Sequence, residues 1–164
     1  MKNLLIFFLS LLLVAQISFS QDFNYKISAE SPSYQVSFPA EPDLKNIEEK
    51  QYFALQYSVL YKNIAYSFSV LTIPDSIEDK KFVMNSIHVA FKKTMDIFNK
   101  YEICLNDSKI CGMYYEGISK KVNTLARFQI YFHKNYAFFI GLSRAKKMPS
   151  KKLMEKFIKT IRIE

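Results

Sequence analysis

The sequence predicts an α+β fold in which an antiparallel β-sheet is covered by helices on both faces. The first observation is a pair of apolar runs, residues 126–132 and 136–142, separated by His133-Lys134-Asn135. Aromatic and branched runs with so short a polar break are typical of a β-hairpin. The second run is apolar on both sides, as in a mid-sheet strand with a layer over each face. We therefore expect this hairpin at the centre of the sheet.

The second observation is another long hairpin, residues 48–73, which turns at Lys62-Asn63. Alternate positions of a strand point to opposite faces of the sheet. One face collects mostly small side chains, which let a helix approach closely, and the other collects large ones, which need cover as well. The first set is Ala54, Gln56, Ser58, Leu60, Ala65, Ser67, Ser69 and Leu71, and the large set is Phe53, Leu55, Tyr57, Val59, Tyr61, Ile64, Tyr66, Phe68 and Val70.

The third observation is helical spacing in two segments. Ser76 and Asp79 resemble a capping box, and the apolar stripe after them predicts a helix to about residue 98. Ser150 is expected to cap a last helix. The stripe of the first helix is Met84, Ile87, Phe91, Met95 and Phe98, and the last helix turns Leu153, Phe157 and Ile161 inward.

Shorter elements complete the predicted sheet. Residues 34–38 alternate large apolar and polar side chains before Pro39 and predict a short strand with Tyr34, Val36 and Phe38 turned inward. The polar residues 21–33 are expected to be loosely held. Residues 161–163 are expected to form a short closing strand.

The chain has two cysteines, and both fall in a third predicted hairpin, residues 101–105 and 110–115. Cys104 and Cys111 lie opposite each other in that register. In an exported protein such a pair favours a disulfide, which at this loop size would contribute ~2–3 kcal/mol of stability. Free buried thiols are the alternative, and a redox-active pair is disfavoured because the spacing is not Cys-x-x-Cys.

The first twenty residues predict a signal peptide. Lys2 precedes an apolar run, residues 4–14, and Ser18-Phe19-Ser20 supplies small residues for cleavage before Gln21. An uncleaved membrane anchor is the alternative, although the run is shorter than the ~20 residues that span a bilayer. We therefore expect a secreted or periplasmic protein, with residues 21–164 as one domain and no transmembrane segment after cleavage.

Charge is distributed unevenly along the chain. Residues 21–108 carry nine Lys and Arg against 12 Asp and Glu, whereas residues 109–164 carry 13 against three. Such asymmetry favours an acidic partner or an anionic surface, and a merely solvated face is the alternative. Export and the lack of exposed aromatics in the basic segment disfavour nucleic acid. The candidate binding residues are Arg144, Lys146, Lys147, Lys151, Lys152, Lys156 and Lys159.

No sequence pattern indicates catalysis or metal binding. His88, on the solvent side of the first predicted helix, and His133, in a turn, are the only histidines, and neither has an obvious partner nearby. There is no HExxH or GxSxG pattern and no metal-spaced His/Cys cluster, and three glycines exclude a Gly-rich phosphate loop. A triad built from distant residues stays open. We expect a non-enzyme without catalytic residues, metal or cofactor.

The order of the predicted elements resembles the PsbP-like superfamily. The resemblance spans residues 34–163 and is carried by residues 34–39 with Pro42, the long strand pair, one long helix, Ile110-Cys111-Gly112, the turn at Lys134-Asn135 and a closing helix ending in residues 156–161. That family usually closes with Phe-x-x-Ser-Phe, from which Thr160-Ile161 departs. The resemblance implies an antiparallel sheet between helices and a non-enzymatic binding or assembly role.

Two functions follow as expectations. The first is an accessory module that contacts another envelope or secreted protein through a sheet face or edge. The second is an electrostatic module that holds an anionic surface, a glycan or lipid headgroups, with its basic C-terminal third. The second function predicts an affinity that falls steeply with salt.

Overall fold

The computed structural model describes residues 23–49, 52–74, 80–105 and 109–164. Its strands are β1 (Tyr25–Glu30), β2 (Ser33–Phe38), β3 (Asp43–Glu49), β4 (Tyr52–Tyr61), β5 (Ile64–Thr72), β6 (Met95–Cys104), β7 (Cys111–Ser119), β8 (Thr124–His133), β9 (Tyr136–Ala145) and β10 (Arg162–Ile163). Its helices are α1 (Lys80–Thr94) and α2 (Lys151–Ile158). The predicted signal peptide, residues 1–20, and the predicted capping pair Ser76 and Asp79 lie outside the described residues.

Seven strands form one antiparallel sheet in the order β3-β4-β5-β9-β8-β7-β6. The hairpin of β8 and β9 turns at Lys134-Asn135, between the paired residues His133 and Tyr136. Lys134 has a φ of 53°, in the left-handed region that two-residue hairpin turns use. Because β9 is the middle strand of the seven, the prediction that this hairpin lies at the centre of the sheet is confirmed.

The hairpin of β4 and β5 turns at the two residues that the sequence indicates. Lys62 and Asn63 have φ values of 49° and 61°, as a type I′ turn requires. The register pairs Tyr57 with Phe68, so the predicted large side chains share one face. On its other side β5 pairs with β9, which joins the two hairpins into one sheet.

Helix α1 covers one face of the large sheet, which we call the helix face. The ring of Phe91 on α1 packs against that of Phe128 on β8, with centroids 4.4 Å apart. Ile87 is 1% exposed at the same contact. The buried cluster on this face is Ala54, Leu71, Ile73, Ile87, Phe91, Met95, Tyr115, Ala126, Phe128, Ile130, Ala137 and Phe139.

The opposite face, which we call the tyrosine face, is covered by a second sheet of order β1-β2-β10 and by α2. Strand β2 buries Tyr34, Val36 and Phe38 against it, as predicted. The buried cluster is Tyr34, Val36, Phe38, Tyr57, Val59, Tyr61, Tyr66, Phe68, Val70, Leu105, Tyr131, Phe138, Ile140, Leu142, Met154, Phe157, Ile158 and Ile161.

Helix α2 begins and packs as the sequence indicates. The Ser150 hydroxyl accepts a hydrogen bond from the Leu153 backbone N–H, so the predicted N-cap is confirmed. Phe157 and Ile161 are both 0% exposed. Leu153 is only partly buried, and α2 ends at Ile158, so Ile161 lies beyond the helix. The predicted closing strand is β10, which pairs with β2.

The predicted fold class, α+β with helices over both faces of the sheet, is wrong. Strands hold 60% of the described residues and the two short helices only 17%. The tyrosine face is roofed largely by the second sheet, and α2 adds only eight residues of helix. The protein is mostly antiparallel β-structure.

The error arises at segments that the sequence did not show to be strands. The first predicted helix extends to residue 98, but α1 ends at Thr94 and Met95–Cys104 is strand β6. Phe98, predicted to be buried, is 58% exposed and lies at a bulge in the pairing of β6 with β7. Residues expected to be loosely held contribute β1, and β3 extends the large sheet beyond β4. No helix in the described part of the chain is long and apolar enough to cross a membrane.

Candidate functional site

The predicted basic residues run from the end of β9 to the end of α2. Arg144 is partly buried, whereas the six lysines are exposed. In α2 and its C-cap, the spacing of four and then three residues puts Lys152, Lys156 and Lys159 on one side of the helix. Lys151 points elsewhere and lines a small cavity with Glu155 on the same helix.

A cleft of about 240 Å³ lies between α2 and the turn end of the β4–β5 hairpin. Of the predicted basic residues, Lys152 and Lys156 line it together. Its other walls come from three separate parts of the chain. The full lining is Phe23, Pro39, Tyr61, Tyr66, Ser150, Lys152, Leu153 and Lys156, and none of these residues is acidic.

Tyr66 forms the floor of this cleft and is 3% exposed. Its ring meets Phe157 edge-on, with centroids 5.4 Å apart, and lies 5.9 Å from the ring of Phe23. Burial, with the neighbouring Tyr61 adding to it, raises the pKa of Tyr66 to about 12. The hydroxyl therefore keeps its proton at neutral pH. It makes no hydrogen bond to any described residue, so its proton is available to a ligand that enters the cleft.

The two cleft lysines are also without counter-ions in the part of the chain that the structure describes. Glu155, the nearest acidic residue on α2, lines a separate cavity with Tyr101 and Tyr114. A third lysine, Lys62, lies with its ammonium 5.5 Å from the ring centroid of Tyr61. The cleft is thus bordered by positive charge that the described part of the chain does not neutralise.

A buried ion pair lies beside Pro149, just before the start of α2, and no local sequence pattern indicates it. Arg127 Nη1 donates to Glu116 Oε1 and, at 2.5 Å, to the Tyr114 hydroxyl, and Arg127 Nε donates to the Pro149 carbonyl at 2.5 Å. The Asn99 amide donates to the second Glu116 oxygen at 3.4 Å. Burial raises the pKa of Tyr114 to about 12, although Arg127 lowers it. Every charge in this cluster has a partner, which favours a structural role.

The cysteines are paired as one disulfide, Cys104–Cys111. They lie opposite each other where β6 and β7 meet, as predicted, and the alternative of free thiols is wrong. Structural disulfides are typical of oxidising compartments.

The histidines lie apart from the cleft. His88 is partly buried, and its ring stacks on Tyr115 with centroids 6.0 Å apart, so it does not lie wholly on the solvent side of α1. Burial, and then Lys100 and Lys92, lower its pKa. His133 ends β8. No group of three metal-ligating side chains occurs within the described residues.

Three aromatic residues of the cleft were not assigned to a site from the sequence. The alternation of the β4–β5 hairpin predicts Tyr61 and Tyr66 on one face of the sheet, but no local pattern indicates that α2 packs over them. Phe23 fell in a segment expected to be loosely held, whereas its ring stacks 5.9 Å from that of Phe157. The one available signal is the alternation in residues 53–70. It shows which side chains share the tyrosine face, but not which elements pack on that face.

No family model matches the chain, and no protein with a curated description matches it. One solved structure with some likeness is that of PA94 from Pseudomonas aeruginosa, a protein of unknown function. It is 10% identical, with a TM-score of 0.41, and the match covers 65% of this chain and 85% of that chain. So weak a likeness carries no argument about function, and the resemblance to PsbP-like proteins stays a prediction.

Proposed function

We propose that this protein is an exported, non-enzymatic binding module that attaches to an anionic surface of the cell envelope or extracellular space. The observation that carries the proposal is the pair Lys152 and Lys156, which have no counter-ion among the described residues and border the cleft on the tyrosine face. The disulfide supports export, because such bonds persist in oxidising compartments.

The placement of the lysines gives the physical reason. Two like charges four residues apart on a helix repel, which destabilises an isolated helix by about 0.2–0.5 kcal/mol. A bound anion removes this repulsion and gains attraction to both ammonium groups. Lys146, Lys147 and Lys159 extend the exposed positive charge beside the cleft. An extended anionic surface therefore fits this region better than an uncharged one.

The test measures binding to anionic vesicles and to an acidic polysaccharide at low and high salt. Binding should fall steeply as the Debye length shrinks from about 10 Å at 0.1 M to about 3 Å at 1 M salt. The variant Lys147→Gln/Lys159→Gln should bind more weakly. The matched control Lys92→Gln/Lys93→Gln removes two exposed lysines from α1 and should bind like the wild type.

Two results would overturn the proposal. One is binding that persists at high salt, and the other is equal weakening by both double variants, since general net charge would then explain the affinity. Measuring both double variants in the same salt series separates the local surface from the overall charge.

A second candidate, a protein partner, is favoured by the edge strand β6. Among the described strands, β6 pairs only with β7, so its outer backbone groups are open to another strand. Phe98 and Tyr101 on this strand are 58% and 40% exposed. A pull-down from envelope extract, in which a protein is retained at high salt and lost in Phe98→Ser, would favour this candidate. Loss at high salt would count against it.

A further inference from the structure

We propose that the cleft between α2 and the β4–β5 hairpin binds the phosphate group of a phosphate monoester. The inference rests on the proposed function and names the chemical group that the cleft recognises. Its basis is the juxtaposition of Lys152, Lys156 and the Tyr66 hydroxyl around one cavity.

The first argument is the set of donors. Tyr66 lines the cleft, and its hydroxyl makes no hydrogen bond to a described residue, so its proton is available for donation. Each lysine ammonium carries three further donors and has no ion-pair partner among the described residues. The Ser150 hydroxyl, which accepts from Leu153 N–H, still has its own proton to donate. With no acidic residue in the lining, the cleft offers donors that converge on an acceptor-rich ligand.

The second argument is the match of charge and oxygen count. A phosphate monoester carries about −1.5 to −2 charge at pH 7 and three strong acceptor oxygens. That charge balances Lys152 and Lys156, and the three oxygens match the two ammonium groups and the Tyr66 hydroxyl. A carboxylate has two oxygens and one negative charge. A sulfate monoester has three oxygens but again only one charge.

The third argument is the size and lining of the cleft. Its volume of about 240 Å³ corresponds to about eight waters at about 30 Å³ each, which exceeds the room that a phosphate group needs. The remaining lining is mostly apolar and consists of Phe23, Pro39, Tyr61 and Leu153. The cleft therefore accommodates the phosphate together with a small organic group. That chemistry occurs in soluble phosphate esters and in lipid headgroups that end in a monoester.

The experiment is a calorimetric titration of the purified protein with glycerol 3-phosphate, beside glycerol sulfate and acetate at the same ionic strength. Glycerol 3-phosphate should bind at least about tenfold more tightly than the other two. Tyr66→Phe removes the hydroxyl and keeps the ring, and it should weaken binding about tenfold, as expected for a hydrogen bond to a charged group. Lys152→Gln and Lys156→Gln should each weaken it by a similar factor. Lys93→Gln, which changes an exposed lysine of α1 outside the cleft lining, should bind like the wild type.

Vesicles distinguish the two sources of the ligand. Tighter binding to vesicles with phosphatidic acid, a monoester, than to vesicles with phosphatidylglycerol, a diester, supports the proposal with a lipid headgroup as ligand. Binding of glycerol 3-phosphate without such a preference supports it with a soluble ester as ligand.

The proposal is overturned if glycerol 3-phosphate does not bind, or if the folded Tyr66→Phe variant and both lysine variants bind it like the wild type. The lysines are exposed, so their variants keep the test decisive even if Tyr66→Phe unfolds. If anionic vesicles still bind in a salt-dependent way while glycerol 3-phosphate does not, the phosphate site fails and the proposed function stands. If neither ligand binds, both fail.

Discussion

The two faces of the large sheet are buried with different chemistry. The helix-face cluster holds one tyrosine, Tyr115, among alanine, aliphatic and phenylalanine side chains. The tyrosine-face cluster holds five: Tyr34, Tyr57, Tyr61, Tyr66 and Tyr131. A buried hydroxyl costs free energy unless it is hydrogen-bonded. Each buried tyrosine hydroxyl therefore needs a hydrogen-bond partner nearby. The helix face can close against α1 by shape alone, whereas the tyrosine face needs polar groups at defined places.

Most tyrosines of that face satisfy this need internally. The Tyr34 and Tyr57 hydroxyls share a hydrogen bond at 3.0 Å, and the Tyr131 hydroxyl donates to the Gln129 side chain. Tyr66 differs, because it lines the cleft and no described residue accepts a hydrogen bond from its hydroxyl. The face that carries the polar groups is thus the one where a ligand can complete the structure.

The largest expected effect comes from removing the aromatic ring that anchors each covering helix. Phe157 is 0% exposed and lies 5.4 Å from the Tyr66 ring and 5.5 Å from the Phe38 ring. Phe157→Ala should lower the free energy of unfolding by about 3–5 kcal/mol, measured by chemical denaturation. It should also abolish binding of glycerol 3-phosphate, because α2 is then no longer anchored beside the cleft.

Phe91→Ala on the helix face is the matched control. Phe91 is 4% exposed, so the same substitution should cost a similar about 3–5 kcal/mol. The folded fraction should nevertheless bind glycerol 3-phosphate with unchanged affinity. If the two variants lose binding equally while folded, the faces are not independent and the contrast drawn between them is wrong.

The next largest effect on stability concerns the ion pair between Arg127 and Glu116, which lies on the tyrosine face. The Arg127 and Glu116 side chains are 12% and 10% exposed, so Arg127→Met leaves a largely buried carboxylate without its cation. The free energy of unfolding should fall by about 3 kcal/mol, measured in urea. The double variant Arg127→Met/Glu116→Gln should recover most of this loss, because it removes both charges. A double variant as unstable as the single one would show that packing around Arg127, and not charge, sets the cost.

The sequence predicted the middle of the large sheet well, for a local reason. In residues 136–142 the apolar side chains alternate onto both faces. The two predicted turns have left-handed backbone at Lys134 and at Lys62-Asn63. These features depend on neighbours in sequence. Pairing between hairpins then follows, because the middle strand is apolar on both sides.

The edges of the sheet could not be predicted in this way. Met95 and Phe98 fit a helical stripe, but pairing with β7 makes Met95–Cys104 a strand, and that pairing is not visible locally. Strand β3 is mostly exposed, with Leu44 at 52%, so it lacks the buried alternation that identifies strands. The cleft was beyond reach for the same reason, since it combines Tyr66 with lysines far along the chain. Only the exposure of those lysines followed from their own sequence pattern.

A smaller effect tests the close packing of the helix face. A Cβ added at Gly141 would lie 2.8 Å from Ser67 Oγ, so in Gly141→Ala either this hydroxyl, which donates to the Gly141 carbonyl, or the strand must shift. Overpacking costs about 1–3 kcal/mol, and the lost freedom of the unfolded chain returns about 0.4–1 kcal/mol. We expect a net loss of about 1 kcal/mol in the free energy of unfolding. Adding Ser67→Ala removes the clashing oxygen and should restore stability. No recovery in the double variant would place the strain elsewhere.

The smallest effect is a pH dependence that belongs to the helix face. His88 Nδ1 is buried and has no hydrogen-bond partner within the described residues, and burial first, then Lys100 and Lys92, lower the pKa of His88. In the unfolded chain the pKa is about 6.5, so below that pH the unfolded state binds more protons than the folded state. The contribution of His88 to stability is therefore fully present above about pH 6.5 and is lost as the pH falls toward the lower folded value.

The variant His88→Gln isolates this contribution from the carboxylates, which also titrate on acidification. The free energy of unfolding of the wild type should fall more steeply than that of His88→Gln between about pH 7 and pH 5.5, measured by denaturation at each pH. Binding to the cleft should not distinguish the two proteins, because His88 packs on Tyr115 of the helix face. Parallel stability curves would mean that the pKa of His88 is the same in the folded and unfolded states. The helix face would then be more hydrated than its packing indicates.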